Sequence, residues 1–174
     1  IGYPLMLKGQ YYEAYKVYTQ PQLVDRFHDI VLRWGAPVVV QRYIEGPEFD
    51  VVAVGDGTGG VAASCSIRKT VLSEKGKGFG GITISDERLD ELAFTVIREL
   101  QWYGPIELEF IQEEITGEYY LLEVNPRFPA WIDFPAACGV NLAALVVEAL
   151  WEGQMIEMPA CTPGKFFLRH SIDL

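Results

Sequence analysis

The spacing of apolar residues predicts a first unit of three strands and one helix. Residues 4–7 form a short apolar run, and residues 11–18 alternate roughly between aromatic and polar side chains, which is typical of strands. Apolar residues then recur every three or four positions over 23–34, shortly after Thr19, a residue type that caps helices. The apolar segment 37–44 predicts a third strand, which ends at a Gly-Pro pair.

The same pattern predicts a second unit with two hairpins, two helices and a closing strand. We expect strands over 48–55, 61–72, 106–111, 119–124 and 166–172. We expect helices over 86–102 and 141–153, and a loop rich in glycine and lysine over 73–81. Because tight turns join several consecutive strands, the sheets should be largely antiparallel and the fold class α+β. The predicted lobes are 1–46 and 47–174.

Composition narrows the choice of partner. The chain has 174 residues, 49% of them hydrophobic, and a net charge of -10. An acidic surface argues against non-specific binding to nucleic acid or to an anionic membrane, because both need basic residues. There is no apolar run of about 18 residues and no leader pattern, so we expect a cytoplasmic protein with a small-molecule partner. Cys65, Cys138 and Cys161 lack metal-binding spacing, and we expect them to be reduced thiols that pack in the core.

Carboxylates converge on the second predicted hairpin. Residues two apart in a strand point to the same face, so Glu107 with Glu109, and Glu123 with Asn125, can line one side of it. Such a set of hard oxygen ligands suits Mg²⁺ or Mn²⁺. The alternative is a solvated hairpin face without a metal. The apolar residues of 121–124 indicate that the strand is buried, which favours the metal because a buried carboxylate needs a partner.

Three segments resemble motifs of the ATP-grasp superfamily. Residues 122–127 (LEVNPR) resemble the metal-binding E-x-N-P-R segment of the carbamoyl phosphate synthetase and biotin carboxylase type. Residues 3–8 (YPLMLK) resemble the strand that carries a phosphate-binding lysine, and residues 41–48 (QRYIEGPE) resemble the adenosine hinge of D-alanine ligases. The order is also that of the family. The resemblance implies an α+β ATP-grasp fold of two lobes with largely antiparallel sheets and ATP in the cleft between them.

The resemblance also implies how ATP is held. Lys8 matches the lysine that contacts the α- or β-phosphate, and Glu48 matches the acceptor for the ribose hydroxyls. The hinge that meets adenine, chiefly through backbone groups, corresponds to Gln41, Arg42, Tyr43 and Ile44. Family members often have an acidic residue at the position of Gln41, a change that a backbone contact survives. Lys8 and Glu48 could instead be ordinary surface residues.

The resemblance also implies that residues of the second lobe bind the metal and the transferred phosphate. Glu109, Glu123 and Asn125 match the family's metal ligands, and Arg127 matches an arginine that supports the transferred phosphate. Lys69 lies on a predicted strand just before the glycine- and lysine-rich loop, and it could reach the γ-phosphate or the acyl substrate.

The implied activity is that of an ATP- and Mg²⁺-dependent ligase. It would activate a small-molecule carboxylate as an acyl phosphate, release ADP and phosphate, and pass the acyl group to an amine or another nucleophile. The segment after Lys8 is short and has one glycine, where many family members have a long glycine-rich lid. That departure leaves open a nucleotide-binding regulatory module without turnover, or a structural domain. We also expect a further domain to precede this segment in the whole protein; a homodimer stays open.

Overall fold

The computed structural model describes residues 4–9, 14–72, 78–152 and 161–169, with the backbone alone for 150–152. The chain divides into two compact units, Ile1–Glu45 and Gly46–Leu174. In the part of the chain that is described, no helix has the length and apolar character to cross a lipid bilayer.

The first unit is a three-stranded antiparallel sheet with one helix. Its elements are β1 (Leu5–Lys8), β2 (Ala14–Val17), α1 (Gln20–Trp34) and β3 (Val39–Arg42), with strand order β2-β1-β3. Thr19 caps the helix, as the sequence predicts, and the structure shows a full capping box: Thr19 Oγ1 accepts from the backbone N–H of Gln22, whose side chain accepts from the N–H of Thr19. Ile30 is the buried residue of this helix, and it belongs to one core cluster with Leu7 of β1 and Val17 of β2.

The second unit is built around a six-stranded antiparallel sheet. Its strands have the order β8-β7-β4-β5-β6-β9. The elements are β4 (Glu48–Asp56), β5 (Val61–Leu72), β6 (Gly78–Thr83), α2 (Glu87–Glu99), β7 (Tyr103–Gln112), β8 (Tyr119–Asn125), α3 (Asp133–Ala137), α4 (Leu142–Glu152) and β9 (Phe166–Leu168). The mostly antiparallel α+β fold expected from the sequence is confirmed.

Both faces of the large sheet carry a core. Helix α2 covers one face, because Leu89, Ala93 and Ile97 repeat every four residues and pack as one buried stripe. The opposite face carries a second cluster, in which residues of β4 and β5 pack against the segment 131–145. Side chains of successive β4 residues pack alternately in the two clusters, so this central strand is buried along almost its whole length.

Three local expectations change in the structure. Residues 78–81 belong to β6 rather than to a loop, while 73–77 lie outside the described residues. The short helix α3 follows the motif around Arg127 and has no predicted counterpart. Strand β8 is not buried: Leu121, Leu122 and Val124 are exposed, because β8 is the edge strand of its sheet. Burial of the strand therefore does not support the metal site, which depends on the contacts of the neighbouring strand β7.

Candidate functional site

Charged residues gather at one end of the sheet face that carries the second cluster. Residues directly opposite each other in neighbouring strands point to the same face. The register places Asp50 of β4 opposite Glu109 of β7, and Glu109 in turn opposite Glu123 of β8. Glu107 is opposite Asn125 on the same pair of strands. The face thus changes along its length from an apolar core to a row of carboxylates.

Lys69 lies at the centre of this row. Its Nζ is 2.7 Å from Glu109 Oε2, 3.0 Å from Asp50 Oδ1 and 3.2 Å from Glu48 Oε2. Only 4% of the Lys69 side chain is exposed. Burial by itself lowers the pKa of Lys69, but the charges of Asp50, Glu109 and Glu48 outweigh that effect and raise it overall. The ammonium therefore stays charged, and it holds three strands together.

Asp50 is the most deeply buried carboxylate of the row. It is 3% exposed, and its Oδ1 meets Lys69 as an ion pair without hydrogen-bond geometry. The pKa of Asp50 is raised to about 7, chiefly because burial disfavours the charged carboxylate. The negative charges of Glu109 and Glu107 raise this pKa further, and together these effects exceed the opposing effect of Lys69. A proton or a further cation near Asp50 is thus favoured.

Arg127 and Asn125 border the cluster at the end of β8. Asn125 Nδ2 donates to Glu109 Oε1 at 3.0 Å, and Arg127 Nη2 donates to Asn125 Oδ1 at 3.3 Å. Arg127 Nη1 lies 3.5 Å from Glu107 Oε2, although 59% of the arginine side chain is exposed. Burial raises the pKa of Glu107, and the negative charge of Glu109 raises it further. The positive charges of Arg127 and Lys69 lower this pKa but do not outweigh the two effects that raise it. Arg127 Nη1 also donates to the carbonyl of Phe128 at 3.1 Å, so the arginine is held at the border of the cluster while much of its side chain stays accessible to solvent.

The donor set fits a divalent cation. One carboxylate oxygen from each of Asp50, Glu107 and Glu109 lies within 4.8 Å of the others. With Glu48, these residues give four carboxylates against two cations, Lys69 and Arg127. Two negative charges are then uncompensated when all groups are ionised. Hard oxygen ligands with two uncompensated negative charges suit Mg²⁺ or Mn²⁺.

The structure locates every residue that the sequence singles out. In the first unit, Lys8 is exposed at the end of β1, paired with Val39, whereas Gln41 and Arg42 lie on β3. Tyr43 donates its backbone N–H to the carbonyl of Pro4, and Ile44 follows it, partly buried. In the second unit, Glu48, Lys69, Glu109, Asn125 and Arg127 form one contact network. Glu123 is exposed beside Glu109.

The sequence predicts no role for Asp50, and it places Glu107 on the carboxylate face without including it among the ligands matched to the ATP-grasp family. A signal for Asp50 existed, since Glu48-x-Asp50 puts two carboxylates on one face of a strand, as Glu107-x-Glu109 does. What the sequence could not supply is the register between β4 and β7, which brings the two pairs together.

Solved structures share this fold. The biotin carboxylase domain of Hydrogenobacter thermophilus 2-oxoglutarate carboxylase, solved with MgADP and bicarbonate, matches with a TM-score of 0.75 at 19% identity over 95% of this chain and 40% of its own. D-alanine–D-alanine ligase from Bacillus anthracis, solved with ATP, matches with a TM-score of 0.60 at 19% identity over 87% of this chain and 52% of its own. This chain therefore shares the fold of these two proteins.

Sequence comparison shows the family of this chain. Residues 35–166 match a family described as ATP-grasp in the biosynthetic pathway with Ter operon, and the chain belongs to this ATP-grasp family. Carbamoyl phosphate synthase large chain from Caldanaerobacter subterraneus subsp. tengcongensis is 27% identical over 85% of this chain. The Pyrococcus furiosus large chain is 26% identical over 96% of this chain. This chain spans only 15% and 16% of those two proteins.

Proposed function

We propose that this chain is the ATP-binding domain of a ligase that activates a carboxylate as an acyl phosphate and releases ADP and inorganic phosphate. One observation carries the proposal: Asp50, Glu107 and Glu109 present clustered carboxylate oxygens beside Arg127 in a chain of the ATP-grasp family. The partners proposed are a small-molecule carboxylate and a nucleophilic acceptor. The family match and the ATP-grasp fold support the ligase class.

The charged end of the large sheet would handle the reacting phosphate. Glu109, Glu123 and Asn125 would hold Mg²⁺ or Mn²⁺, with Asp50 and Glu107 as further donors. When bound, the metal would neutralise charge on the triphosphate.

Arg127, half-exposed at the border of the cluster, would donate hydrogen bonds to the transferred phosphate. Lys69 would fix the positions of Glu48 and Glu109, and from there it would add positive charge near the acyl substrate. Such positioning and charge stabilisation supply most of the rate in phosphoryl transfer.

The adenosine and the inner phosphates would be bound by the motifs at the start of the chain. Lys8, exposed at the end of β1, would contact the α- or β-phosphate. The backbone of 41–44 would meet adenine, and Glu48 would accept from the ribose hydroxyls. Because Glu48 also contacts Lys69 in the structure, nucleotide binding and the carboxylate cluster would share this residue.

Binding is tested by thermal unfolding with MgATP. At a concentration about 100 times its dissociation constant, a ligand that binds only the folded chain stabilises it by about 2.7 kcal/mol. Lys8→Ala should remove most of this gain. Lys165→Ala is the matched control, because Lys165 is exposed and its structural hydrogen bonds are made by its backbone. Equal responses of Lys8→Ala and the wild type would disprove the role of Lys8.

The reaction is tested by chromatography of the nucleotides formed when the full-length protein is incubated with MgATP and a panel of amino and hydroxy acids. Carboxylate-stimulated ADP release is expected, because phosphate transfer to a carboxylate breaks the bond to the γ-phosphorus. Arg127→Ala should abolish the stimulation, whereas Arg98→Ala, on the exposed side of α2, should retain it. AMP and pyrophosphate as the main products would overturn the proposal.

A second candidate is a nucleotide-binding module that regulates without turnover. It is favoured by the short segment after Lys8, which has one glycine where many ATP-grasp enzymes have a glycine-rich lid. It predicts stabilisation by MgATP with no carboxylate-stimulated ADP, so the two experiments together separate it from the ligase.

A further inference from the structure

Three cysteines that are far apart in the sequence meet at one place in the second unit. Cys65 lies on β5, Cys138 follows α3, and Cys161 precedes β9. Cys65 Sγ and Cys161 Sγ are 2.9 Å apart, and Cys161 also forms a hydrogen bond with Cys138. All three are free thiols. The sequence predicts reduced thiols that pack in the core, and the structure in addition brings these three thiols together.

The position of Cys161 is fixed by backbone hydrogen bonds around it. The N–H of Thr162 donates to the carbonyl of Cys138 at 3.0 Å. Thr83 Oγ1 donates to the carbonyl of Thr162 at 2.8 Å and accepts from the N–H of Lys165 at 2.8 Å. Thr83 is itself 2% exposed. The contact between the two sulfurs therefore follows from the fold of the segment.

The thiols differ in reactivity. Cys161 is partly exposed, whereas Cys65 is 1% and Cys138 is 3% exposed. Hydrogen bonds from Cys65 and Cys138 lower the pKa of Cys161, and the same bond with Cys161, together with burial, raises the pKa of Cys65. Since the thiolate is the reactive form, Cys161 is the thiol that an oxidant reaches first.

We propose that Cys65 and Cys161 form a reversible disulfide when a peroxide oxidises the protein. The Cys161 thiolate attacks one oxygen of hydrogen peroxide, the O–O bond breaks, and water leaves after protonation, so that Cys161 becomes a sulfenic acid. The Cys65 thiol then attacks the Cys161 sulfur, the S–O bond breaks, and a second water leaves with the Cys65 proton. Two thiols lose two electrons, and one peroxide gains them.

Cys65 is the partner because its sulfur already contacts Cys161, and a disulfide needs the sulfurs at about 2.05 Å. A disulfide between Cys65 and Cys161 would join positions 96 residues apart and would anchor the segment before β9 to the middle of the sheet. Cys65 also lies on the strand face that carries Lys69, four residues further along β5. A thiol reductant would reverse the bond, as is usual for redox-active disulfides in a reducing compartment.

The test uses the folded chain treated with hydrogen peroxide, quenched by alkylation and digested without reductant. Mass spectrometry should find a peptide pair joined through Cys65 and Cys161, and one alkylated thiol, Cys138. The oxidised chain should melt roughly 10 °C higher than the reduced chain, because a loop of about 100 residues is closed. Dithiothreitol should reverse both changes.

Variants distinguish the proposed pair from the alternatives. Cys138→Ser should still form the bond, whereas Cys161→Ser should leave Cys65 reduced under the same peroxide treatment. Circular dichroism of each variant verifies folding, and the peptide map of the wild type decides the question without any substitution. A wild-type map that shows Cys138 joined to Cys161, a bond between two chains, or only an unpaired oxidised Cys161 would overturn the proposal.

Discussion

Lys69 Nζ lies 2.7 Å from Glu109 Oε2, so a buried lysine bonds directly to a carboxylate that the sequence assigns to a metal. The same ammonium contacts Asp50 at 3.0 Å, and both side chains are 4% exposed. A cation and an anion at this depth are stable only together, because each alone would be charged in a medium of low polarity. Lys69 therefore has a structural role in addition to the chemical one proposed for it.

Replacing Lys69 with methionine should destabilise the second unit at pH 8. Methionine fills a similar volume, but the variant leaves Asp50 and Glu109 without their shared cation. Removal of one partner from a buried ion pair costs about 3 to 5 kcal/mol. Chemical unfolding followed by tryptophan fluorescence would measure the loss.

The matched control is the double variant Lys69→Met/Asp50→Asn. It removes the buried anion as well as the cation, so at least half of the lost stability should return. If Lys69→Met unfolds like the wild type, or if Asp50→Asn adds to the loss, Lys69 does not compensate Asp50.

Asp50 should make stability depend on pH in the opposite direction to an ordinary ion-paired aspartate. The pKa of Asp50 is raised from 3.8 to about 7, so between these values the folded chain keeps a proton that the unfolded chain has released. The contribution of Asp50 to the free energy of unfolding is therefore fully present below pH 3.8, the pKa in the unfolded chain, and is lost as pH rises through about 7, the pKa in the folded chain. The loss amounts to up to about 4 kcal/mol.

Asp50→Asn isolates this contribution, because asparagine resembles the protonated carboxyl. Unfolding free energies of both proteins are compared from pH 4.5 to 8. The wild type should lose stability relative to Asp50→Asn as pH rises through about 7. A constant difference across this range would show that Asp50 is ionised throughout.

The sequence predicted the elements of the fold better than their burial. Thr19 caps α1 as expected, because capping depends on local hydrogen bonds that the sequence specifies. The strand at 119–124 was found at almost its true bounds but was expected to be buried. An apolar run has the same appearance in an edge strand and in a central strand, and only the strand order of the sheet distinguishes them.

In the candidate site, too, the sequence predicts the residues of one local hairpin but not those that long-range strand pairing adds. Asn125 and Arg127 belong to one predicted motif, and Glu109 lies on the other strand of the same predicted hairpin; the three form one network. Glu123, from the same motif, is exposed beside Glu109. Asp50 was missed because its place depends on pairing between β4 and β7, which are nearly 60 positions apart in the chain. Contacts of that range depend on the register of the sheet, which periodicity along the sequence does not specify.

Gly46 should not tolerate a side chain. A Cβ atom at this position would lie 1.8 Å from the carbonyl oxygen of Gln112, and backbone cannot move aside as a flexible side chain can. The N–H of Gln112 also donates to the carbonyl of Pro47 at 3.0 Å, so the two segments are held together. Gly46→Ala should cost about 2 kcal/mol or more.

Gly117→Ala is the comparison for Gly46→Ala. It has open space around the added Cβ but a positive φ of 71°, so it reports backbone strain without a clash. Thermal unfolding of the two variants should rank Gly46→Ala as the less stable. The reverse order would show that the segment at Gly46 moves freely away from Gln112.

Glu123 and Glu107, two carboxylates that could bind the metal, differ in burial, so their contributions to metal binding can be tested separately. Glu123 is exposed on the edge strand, and Glu107 is 5% exposed beneath Arg127. Glu123→Gln should leave the stability of the metal-free chain within about 0.5 kcal/mol, as is usual for surface substitutions. Glu107→Gln should leave it unchanged or raised, because an uncharged side chain relieves repulsion from Glu109.

Metal binding should respond to both substitutions. Each removes a negative oxygen donor from the proposed site, so we expect at least about a tenfold loss of Mn²⁺ affinity in the presence of ATP, measured by electron paramagnetic resonance of free Mn²⁺. Glu114→Gln, exposed and two residues beyond β7, is the control for the change in net charge and should bind like the wild type. A loss in Glu123→Gln alone would restrict the site to the ligands assigned by the family motif. A loss in Glu107→Gln alone would place the metal among the buried carboxylates around Lys69. Affinity unchanged in both would exclude these two residues as ligands and leave Glu109 and Asn125 without the partners that the proposal requires.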